Sequence, residues 1–336
     1  MGICKRTGFP VTDHGLKSHF DSVLLSGSVP PGVLSPRKLS FRRCRFSAIY
    51  SIMGLMFSFM AIKDTAGQEN PVASVGGKYG LEVDLEGEAN PSGLDVSMGA
   101  WYRYIYHSDN SPLWNGLYVK GGGELSFNPA YGQVGIYLEW MPISILQMRV
   151  QFDRFSFFGR DGSLLTFDNG DEPFGDADIR KRSGQEITGQ ADRLMFQPTL
   201  MGELGRYVLE NETTFALYSF DQTGPYFWDQ EYDTLLKKDD RLIANNISVL
   251  YDFVPKEQNE KFLVGPTFEV VHAFSADLTR ERLGLSIYFE PVTRRSIFGY
   301  VQHPRFYLQT GINIKDRNRE DQFFLLGDIG TDFDLN

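Results

Sequence analysis

Cysteine is nearly absent from this sequence. The 336 residues contain two, Cys4 and Cys44, and none follows residue 44. A body without cysteine cannot form disulfides, use a thiolate nucleophile or bind a metal through cysteine. Its composition fits passage through an oxidising compartment, where a free thiol would be a liability.

Long apolar runs and positive charge are also scarce after residue 67. No later segment has the run of about 18 apolar residues that predicts a membrane-spanning helix. The first 67 residues hold nine of the 33 basic residues and three of the 43 acidic ones, which leaves 24 basic and 40 acidic residues and a net charge of −16. This acidity argues against nucleic-acid binding, which needs clusters of basic residues.

The first 67 residues have the pattern of an export signal. A basic stretch from Arg37 to Arg45 precedes an apolar segment over residues 46–62, and the small residues of Thr65-Ala66-Gly67 follow. This order predicts a signal peptide that is cleaved near Gly67, with a retained single-span anchor as the alternative. Residues 1–34 are interpreted as an overlong gene start.

An alternation of apolar and polar residues with a period of two recurs after residue 75. Side chains on a β-strand point to opposite faces in turn, so each such run predicts a strand with one apolar and one polar face. In residues 94–103, the apolar face carries Leu94, Val96, Met98, Ala100 and Tyr102, and the polar face carries Asp95, Ser97, Gly99 and Arg103. The apolar face must be hidden, either within a soluble sandwich or against lipid around a closed barrel.

Twelve alternating runs follow one another, so we predict an all-β chain of about 12 antiparallel strands over residues 68–336. They lie at about 79–86, 94–103, 117–127, 133–140, 146–153, 191–202, 207–220, 243–253, 262–274, 279–290, 304–315 and 323–335. Two irregular stretches, 159–189 and 221–239, are predicted to be long exposed loops on the extracellular side, although 225–236 could form another strand.

Aromatic residues make up 14% of the sequence and cluster near the ends of several runs, as at 101–106, 155–158 and 226–228. Such clusters suit the aromatic girdle of a membrane barrel, and they also suit the core of a soluble all-β protein.

With an export signal, amphipathic strands to its end, and Phe333 and Leu335 in a terminal strand, the chain resembles the bacterial outer-membrane β-barrel superfamily. The resemblance covers most of residues 75–335 and identifies no subfamily. It implies a transmembrane β-barrel in the outer membrane. Its implied partners are outer-membrane lipid, lipopolysaccharide and the barrel assembly machinery. No cofactor is predicted.

The polar faces of the predicted strands carry charges of both signs, which are costly unless they are paired or hydrated. They can pair into a network that fills a narrow barrel, or line an aqueous pore, and twelve strands lie between the filled and the open cases. A porin-like channel or uptake pore for small polar solutes, with mild cation preference, is the leading hypothesis. Its predicted lumen-lining residues are Glu82, Asp84, Glu86, Arg103, Lys120, Glu124, Glu139, Arg149, Asp153, Arg282, Asp328 and Asp332.

Two other groups of residues are candidate sites. His107 with Ser108 or Ser111 is a candidate for a serine–histidine pair like that of outer-membrane phospholipases and lipid A deacylases, which makes a lipid hydrolase one alternative function. A structural or adhesive barrel is another. An acidic group in the first long loop suits calcium, but its spacing is not that of an EF-hand, and a solvated loop is the competing interpretation. The group consists of Asp168, Asp171, Glu172, Asp176 and Asp178.

Overall fold

A computed structural model describes residues 73–255, 260–291 and 303–335, so the predicted signal peptide within 1–67 lies outside the described residues. The described part contains fifteen strands and one short helix, α1. In chain order they are β1 (Gly76–Ala89), β2 (Gly93–His107), β3 (Leu117–Phe127), β4 (Tyr131–Ile143), β5 (Leu146–Phe158), β6 (Thr166–Phe167), α1 (Asp176–Lys181), β7 (Thr188–Leu204), β8 (Tyr207–Phe220), β9 (Tyr226–Asp229), β10 (Thr234–Leu236), β11 (Asp239–Asp252), β12 (Lys261–Ala273), β13 (Leu278–Glu290), β14 (His303–Lys315) and β15 (Phe323–Asp334).

Twelve of these strands close into one antiparallel barrel, which confirms the predicted fold class. Each barrel strand pairs with the next one along the chain, and β1 closes the ring by pairing with β15 over ten residue pairs. Leu81 lies opposite Phe333 in this seam. Closure satisfies the backbone groups at both edges, which a sheet in lipid requires.

The outer surface of the barrel is apolar. On β4, Val134, Ile136 and Leu138 are 58%, 64% and 56% exposed, while Gly135 and Tyr137 between them are buried. The same alternation recurs around the ring, so the large apolar side chains of the strands form a belt that faces outward. Aromatic rings lie in this belt near one end of the barrel, where Trp140 Nε1 donates a hydrogen bond of 3.1 Å to the hydroxyl of Tyr106. An apolar outer face with aromatic residues near its end is typical of the lipid-facing surface of an outer-membrane barrel.

Among the residues described, no helix is both long and apolar enough to cross a membrane.

The prediction that residues 159–189 and 221–239 are exposed loops is wrong for much of their length. Segments 159–187 and 221–238 fold together into what we call the plug, which contains α1 and a small sheet in the order β10-β9-β6. The side chains of Leu165, Phe227 and Leu235 in the plug are fully buried. The alternative strand at 225–236 is instead the β9–β10 pair of this sheet and not a strand of the barrel.

The plug packs against the inner wall at the barrel end that carries the β1–β2, β3–β4, β12–β13 and β14–β15 turns, which we call the loop end. The wall supplies small residues there, such as Ala191, Ala216 and Ala273, which leave room for the plug. The ring of Phe220 on β8 stacks on that of Phe227 in the plug, with 4.8 Å between centroids. One hydrophobic core therefore joins plug and wall.

Candidate functional site

Ion pairs line the inner wall in the half of the barrel away from the plug. Lys120 Nζ lies 3.2 Å from a carboxylate oxygen of Glu82, and Arg149 Nη2 lies 2.9 Å from one of Glu124. Each pair bridges two strands with a third strand between them, so the contacts run across the concave inner surface.

Arg305 on β14 extends the same network across the seam. Its guanidinium lies 2.6 Å from Asp84 on β1 and 3.2 Å from Asp332 on β15. The seven charged side chains of these pairs are between 14% and 30% exposed. Water therefore reaches them inside the barrel.

Aromatic rings separate the charges on β2, β3 and β4. The Arg103 guanidinium lies 5.4 Å from the ring centroid of Trp101 and 5.7 Å from that of Tyr118. The Tyr118 hydroxyl donates a 2.6 Å hydrogen bond to Glu139. The Arg149 guanidinium lies 4.0 Å from the ring centroid of Tyr137. Cation–π contacts of this kind stabilise cations that are partly removed from water.

Glycines on the inner wall give these side chains space to lie flat. A Cβ atom at Gly122 would stand 2.6 Å from Cζ of Tyr137, and one at Gly99 would stand 2.9 Å from Oε1 of Glu82. A Cβ atom at Gly135 would likewise clash with the carboxylate of Asp153. One glycine on each of β2, β3 and β4 therefore leaves the space that these inward side chains occupy.

The arginines that form ion pairs in the plugged half are almost fully buried, since the side chains of Arg193 and Arg282 are 4% and 3% exposed. Asp153 is completely buried, and it accepts hydrogen bonds from Arg193 Nε at 2.9 Å and from Gln151 Nε2 at 2.7 Å. Arg193 also contacts Glu231 of the plug at 2.5 Å. On the other side of the ring, Arg282 lies 2.8 Å from Glu88.

Acidic residues from the wall and the plug face one another near the loop end. Glu86 on β1 lies within the electrostatic reach of Glu88, Asp95 and Asp328 on the wall and of Glu231 on the plug. Its side chain is solvent-exposed and has no hydrogen-bond or ion-pair partner in the described ranges. We call Glu86, Asp95, Asp328 and Glu231 the acidic gap. Within the described ranges, Glu231 is the member of this group that has an ion-pair partner, Arg193, so negative charge predominates in the gap.

The acidic loop residues have partners other than a metal. Asp176 pairs with Arg319, Asp178 with Lys181, and Asp171 with Arg317. No group of three or more potential ligands that could hold a metal ion occurs in residues 73–255, 260–291 and 303–335. Asp168 joins this loop through its backbone N–H, which donates to Glu172 at 2.8 Å.

The Glu172 carboxylate accepts hydrogen bonds from the backbone of the turn that precedes it. Burial acts to raise its pKa, but hydrogen bonds from the backbone of Asn169 and Asp168 and the charge of Arg182 outweigh burial and hold the pKa below its usual range. The carboxylate is therefore held in its charged form as a structural group of the plug.

The structure does not join His107 to either candidate serine. His107 Nε2 lies 3.3 Å from a carboxylate oxygen of Asp109, and both side chains are about half exposed. Ser108 donates a 2.6 Å hydrogen bond to Asn115, and the N–H of Ser111 donates to Asp109. These contacts are those of a loop between β2 and β3 at the barrel end opposite the plug.

Arg193, Glu231, Arg305 and Arg319 are not among the lumen residues predicted from the sequence. The alternating pattern does carry a signal for Arg193, which lies on the polar side of a predicted strand with the parity of the lumen face. Arg319 and Glu231 lie in segments without periodicity, so no pattern marked them.

Comparison with known proteins identifies no family. No family model matches the chain, and no curated protein matches it. Among solved structures, the chain is similar to the β domain of the Bordetella autotransporter BrkA, with 8% identity, a TM-score of 0.39, and coverage of 76% of this chain and 98% of that one. The translocator domain of autotransporter NalP from Neisseria meningitidis has 9% identity, a TM-score of 0.35, and coverage of 86% and 97%. The COG4313 outer membrane channel from Pseudomonas putida F1 has 8% identity, a TM-score of 0.38, and coverage of 81% and 100%.

Proposed function

We propose that this closed barrel of twelve strands lies in the bacterial outer membrane and is a narrow channel for small polar solutes that prefers cations. The observation that carries the proposal is the hydrated, charged inner wall. Lys120, Glu82, Arg149 and Glu124 are held in pairs yet remain in contact with water. A barrel that served only as a scaffold could fill its interior with apolar side chains, without the cost of placing charges there.

The plug would set the width and the selectivity of the route. It fills one side of the lumen at the loop end, and the acidic gap lies where plug and wall face each other. A constriction lined by carboxylates attracts cations and repels anions. Since outer-membrane barrels carry their longer loops outside, the plug would face the extracellular side. Lipopolysaccharide and the barrel assembly machinery are expected partners of a barrel in this position.

The test is conductance of the refolded barrel in a planar lipid bilayer. We expect single-channel steps and a reversal potential that indicates cation preference in a salt gradient. Glu86→Gln should reduce that preference, because it removes an exposed carboxylate from the acidic gap. Asp171→Asn is the matched control, since it removes an equal charge from a plug side chain that is 94% exposed.

Two results would contradict the proposal. One is the absence of conductance from protein that shows the faster gel mobility of a folded barrel before boiling. The other is a preference for anions, which would mean that the acidic gap does not line the route. Equal effects of Glu86→Gln and Asp171→Asn would assign selectivity to overall charge and not to the gap.

A further inference from the structure

Three polar side chains interrupt the apolar outer face of the barrel on β8 and β11. Asn211 and Thr213 lie on the same face of β8 as Phe215 and Leu217, which are 45% and 51% exposed. Asn245 on β11 lies directly opposite Thr213 in the strand pair, so it shares that outer face. We call Asn211, Thr213 and Asn245 the polar patch.

The polar patch lies at mid-height of the apolar outer face. At the barrel end away from the plug, the rings of Tyr207 and Tyr251 meet on this face with 5.3 Å between centroids. At the loop end, the Ser219 hydroxyl donates a 2.8 Å hydrogen bond to Asp239. The outward residues of β8 between these two levels are Leu209, Asn211, Thr213, Phe215 and Leu217. In a membrane, the hydrocarbon core would therefore surround the patch, and polar side chains are costly there.

Hydrogen bonds within the patch satisfy most of its polar atoms. Asn211 Nδ2 donates to Asn245 Oδ1 at 3.2 Å and to the backbone oxygen of Asn246 at 3.4 Å. Asn245 Nδ2 donates to Thr213 Oγ1 at 2.8 Å and to the backbone oxygen of Glu212 at 3.0 Å. Two groups remain. In the described part of the chain, Asn211 Oδ1 accepts no hydrogen bond and the Thr213 hydroxyl donates none.

The two remaining groups are an acceptor and a donor, so they complement each other. Hydrocarbon chains offer neither donors nor acceptors, and lipid therefore cannot satisfy either group. A second copy of the chain can satisfy both. When it is rotated by a two-fold axis that passes through the patch, each copy presents its Thr213 hydroxyl to Asn211 Oδ1 of the other.

Gaps in strand pairing flank the polar patch on both sides. β8 and β11 pair without interruption from Asp239–Ser219 to Tyr251–Tyr207. The pairing of β7 with β8 skips Gln197 and Pro198, and that of β11 with β12 skips Gly265 and Pro266. Proline has no N–H to donate to a ladder, which accounts for a gap in each. A molecule packed on the patch would also shield these gaps.

We propose that two copies of this chain associate through the polar patch, with β8 and β11 of one copy facing those of the other. Thr213 Oγ1 of each copy donates to Asn211 Oδ1 of the other, and Leu209 and Phe215 pack around these hydrogen bonds. The inference rests on the membrane position in the proposed function. It does not rest on conduction, because the interface lies outside the barrel.

The first test is cross-linking of the refolded protein in lipid vesicles at a low ratio of protein to lipid. Cys4→Ser and Cys44→Ser first remove the natural thiols. Thr213→Cys then places one thiol in the patch, and Met98→Cys places one on the outer face of β2, on the other side of the ring. With a short bismaleimide, we expect a dimer from Thr213→Cys and almost none from Met98→Cys. Equal yields from the two variants would overturn the proposal.

The second test is sedimentation velocity of the refolded protein in density-matched detergent. The double variant Asn211→Leu, Thr213→Val removes the unsatisfied groups at similar side-chain size, so the dissociation constant of the dimer should rise about tenfold or more. Gel mobility before boiling shows that the variant is folded, and Thr213→Val alone removes the donor if the double variant is not.

Ser219→Val is the matched control for this variant, because Ser219 is an outward polar residue at the loop end of the same strand. Its dissociation constant should equal that of the unaltered chain. A trimer, a monomer at every concentration, or equal association of the double variant and the unaltered chain would overturn the proposal.

The outcome is separate from that of the conductance test. A dimer that depends on Asn211 and Thr213 in a barrel without conductance would support the interface and remove the channel. A monomer that conducts would remove the interface and leave the channel.

Discussion

Arg319 and Asp233 form an ion pair inside the plug, and their side chains are 2% and 0% exposed. Arg319 lies in the β14–β15 loop, whereas Asp233 lies between β9 and β10. The same guanidinium contacts Asp176 of the first plug segment at 2.7 Å and Asn90 of the β1–β2 turn at 3.1 Å. One side chain therefore connects four separate segments at the loop end.

Loss of this guanidinium should loosen the plug. Arg319→Gln leaves the Asp233 carboxylate buried without its partner, and breaking a buried pair in this way costs about 3–5 kcal/mol. We expect faster proteolysis within residues 159–187 of the refolded barrel. The gel mobility of the unboiled barrel should stay the same, because the strand pairing that produces it does not involve Arg319.

The control for this prediction lies two residues earlier. Arg317→Gln removes a guanidinium from the same loop, but its partner Asp171 is 94% exposed, and exposed pairs contribute about 0–1 kcal/mol. Proteolysis should then proceed at the rate of the unaltered barrel. Equal sensitivity of the two variants would show that burial of the Arg319 pair does not matter.

The plug should lose stability as pH rises through the titration of Asp229. Burial, and then the charge of Glu231, raise the pKa of Asp229 to about 6 from its ordinary value of 3.8. Between these values the folded plug holds a proton that the unfolded segment has lost, so its free energy of unfolding falls with rising pH, by up to about 3 kcal/mol. The stabilisation is complete below pH 3.8 and gone above about pH 6. The charged and titratable groups around Asp229 are Arg193 of β7, Tyr218 of β8, Tyr131 of β4, and Glu231 and Tyr232 of the plug.

Hydrogen exchange of the amides in 221–238, corrected for the intrinsic effect of pH, measures this dependence. We expect protection to decrease from pH 4 to pH 7 in the unaltered protein. Asp229→Asn cannot ionise, so its protection should be nearly independent of pH. A rise in protection over this range would contradict the prediction.

Substitution of Gly122 should disturb the inner wall. Gly122→Ala places a methyl group 2.6 Å from Cζ of Tyr137, so the ring must move, and overpacking of this kind costs about 1–3 kcal/mol. Gly121→Ala is the matched control, since the nearest atom to its Cβ is a backbone oxygen at 3.7 Å. The midpoint of urea unfolding, followed by the gel shift of the folded barrel, should fall for Gly122→Ala alone.

A charge on the outer face of β2 should lower the yield of folded barrel, and a charge on its inner face should not. Met98 is 46% exposed on the apolar outer face, while its neighbour Ser97 points into the lumen. An arginine on the lipid face costs about 2–4 kcal/mol near the bilayer midplane, so Met98→Arg should lower the folded fraction in lipid vesicles. Ser97→Arg should fold in nearly the same yield. The reverse order of yields would mean that the faces are assigned wrongly.

The strands of the barrel could be predicted from the sequence because each alternating run fixes the faces of its own residues. The faces of residues 94–103 could be assigned from the local sequence alone, because an alternating strand against lipid must turn its apolar side chains outward. The inward direction of Glu82 and Lys120 followed from the same rule. Their pairing did not, because it depends on the order of strands around the ring.

The plug could not be predicted in this way. Phe167, Phe227 and Leu235 lie in segments rich in Asp and Gly, and their burial comes from contact with wall residues far away in sequence. The contacts of Arg319 could not be predicted either, because its acidic partners lie 86 and 143 residues away along the chain. Local patterns cannot indicate contacts of that kind.

The seam between β1 and β15 bears on how the protein is made. Leu81 meets Phe333 across 252 residues of chain, so the ring can close only after the last strand has been synthesised. Until then, β1 offers unpaired N–H and C=O groups to any strand that approaches, including those of another copy. Contacts between such distant residues also form slowly, which lengthens the period of exposure. The ten residue pairs between β1 and β15 close the finished barrel, but they form last. Until they form, the chain needs protection from aggregation.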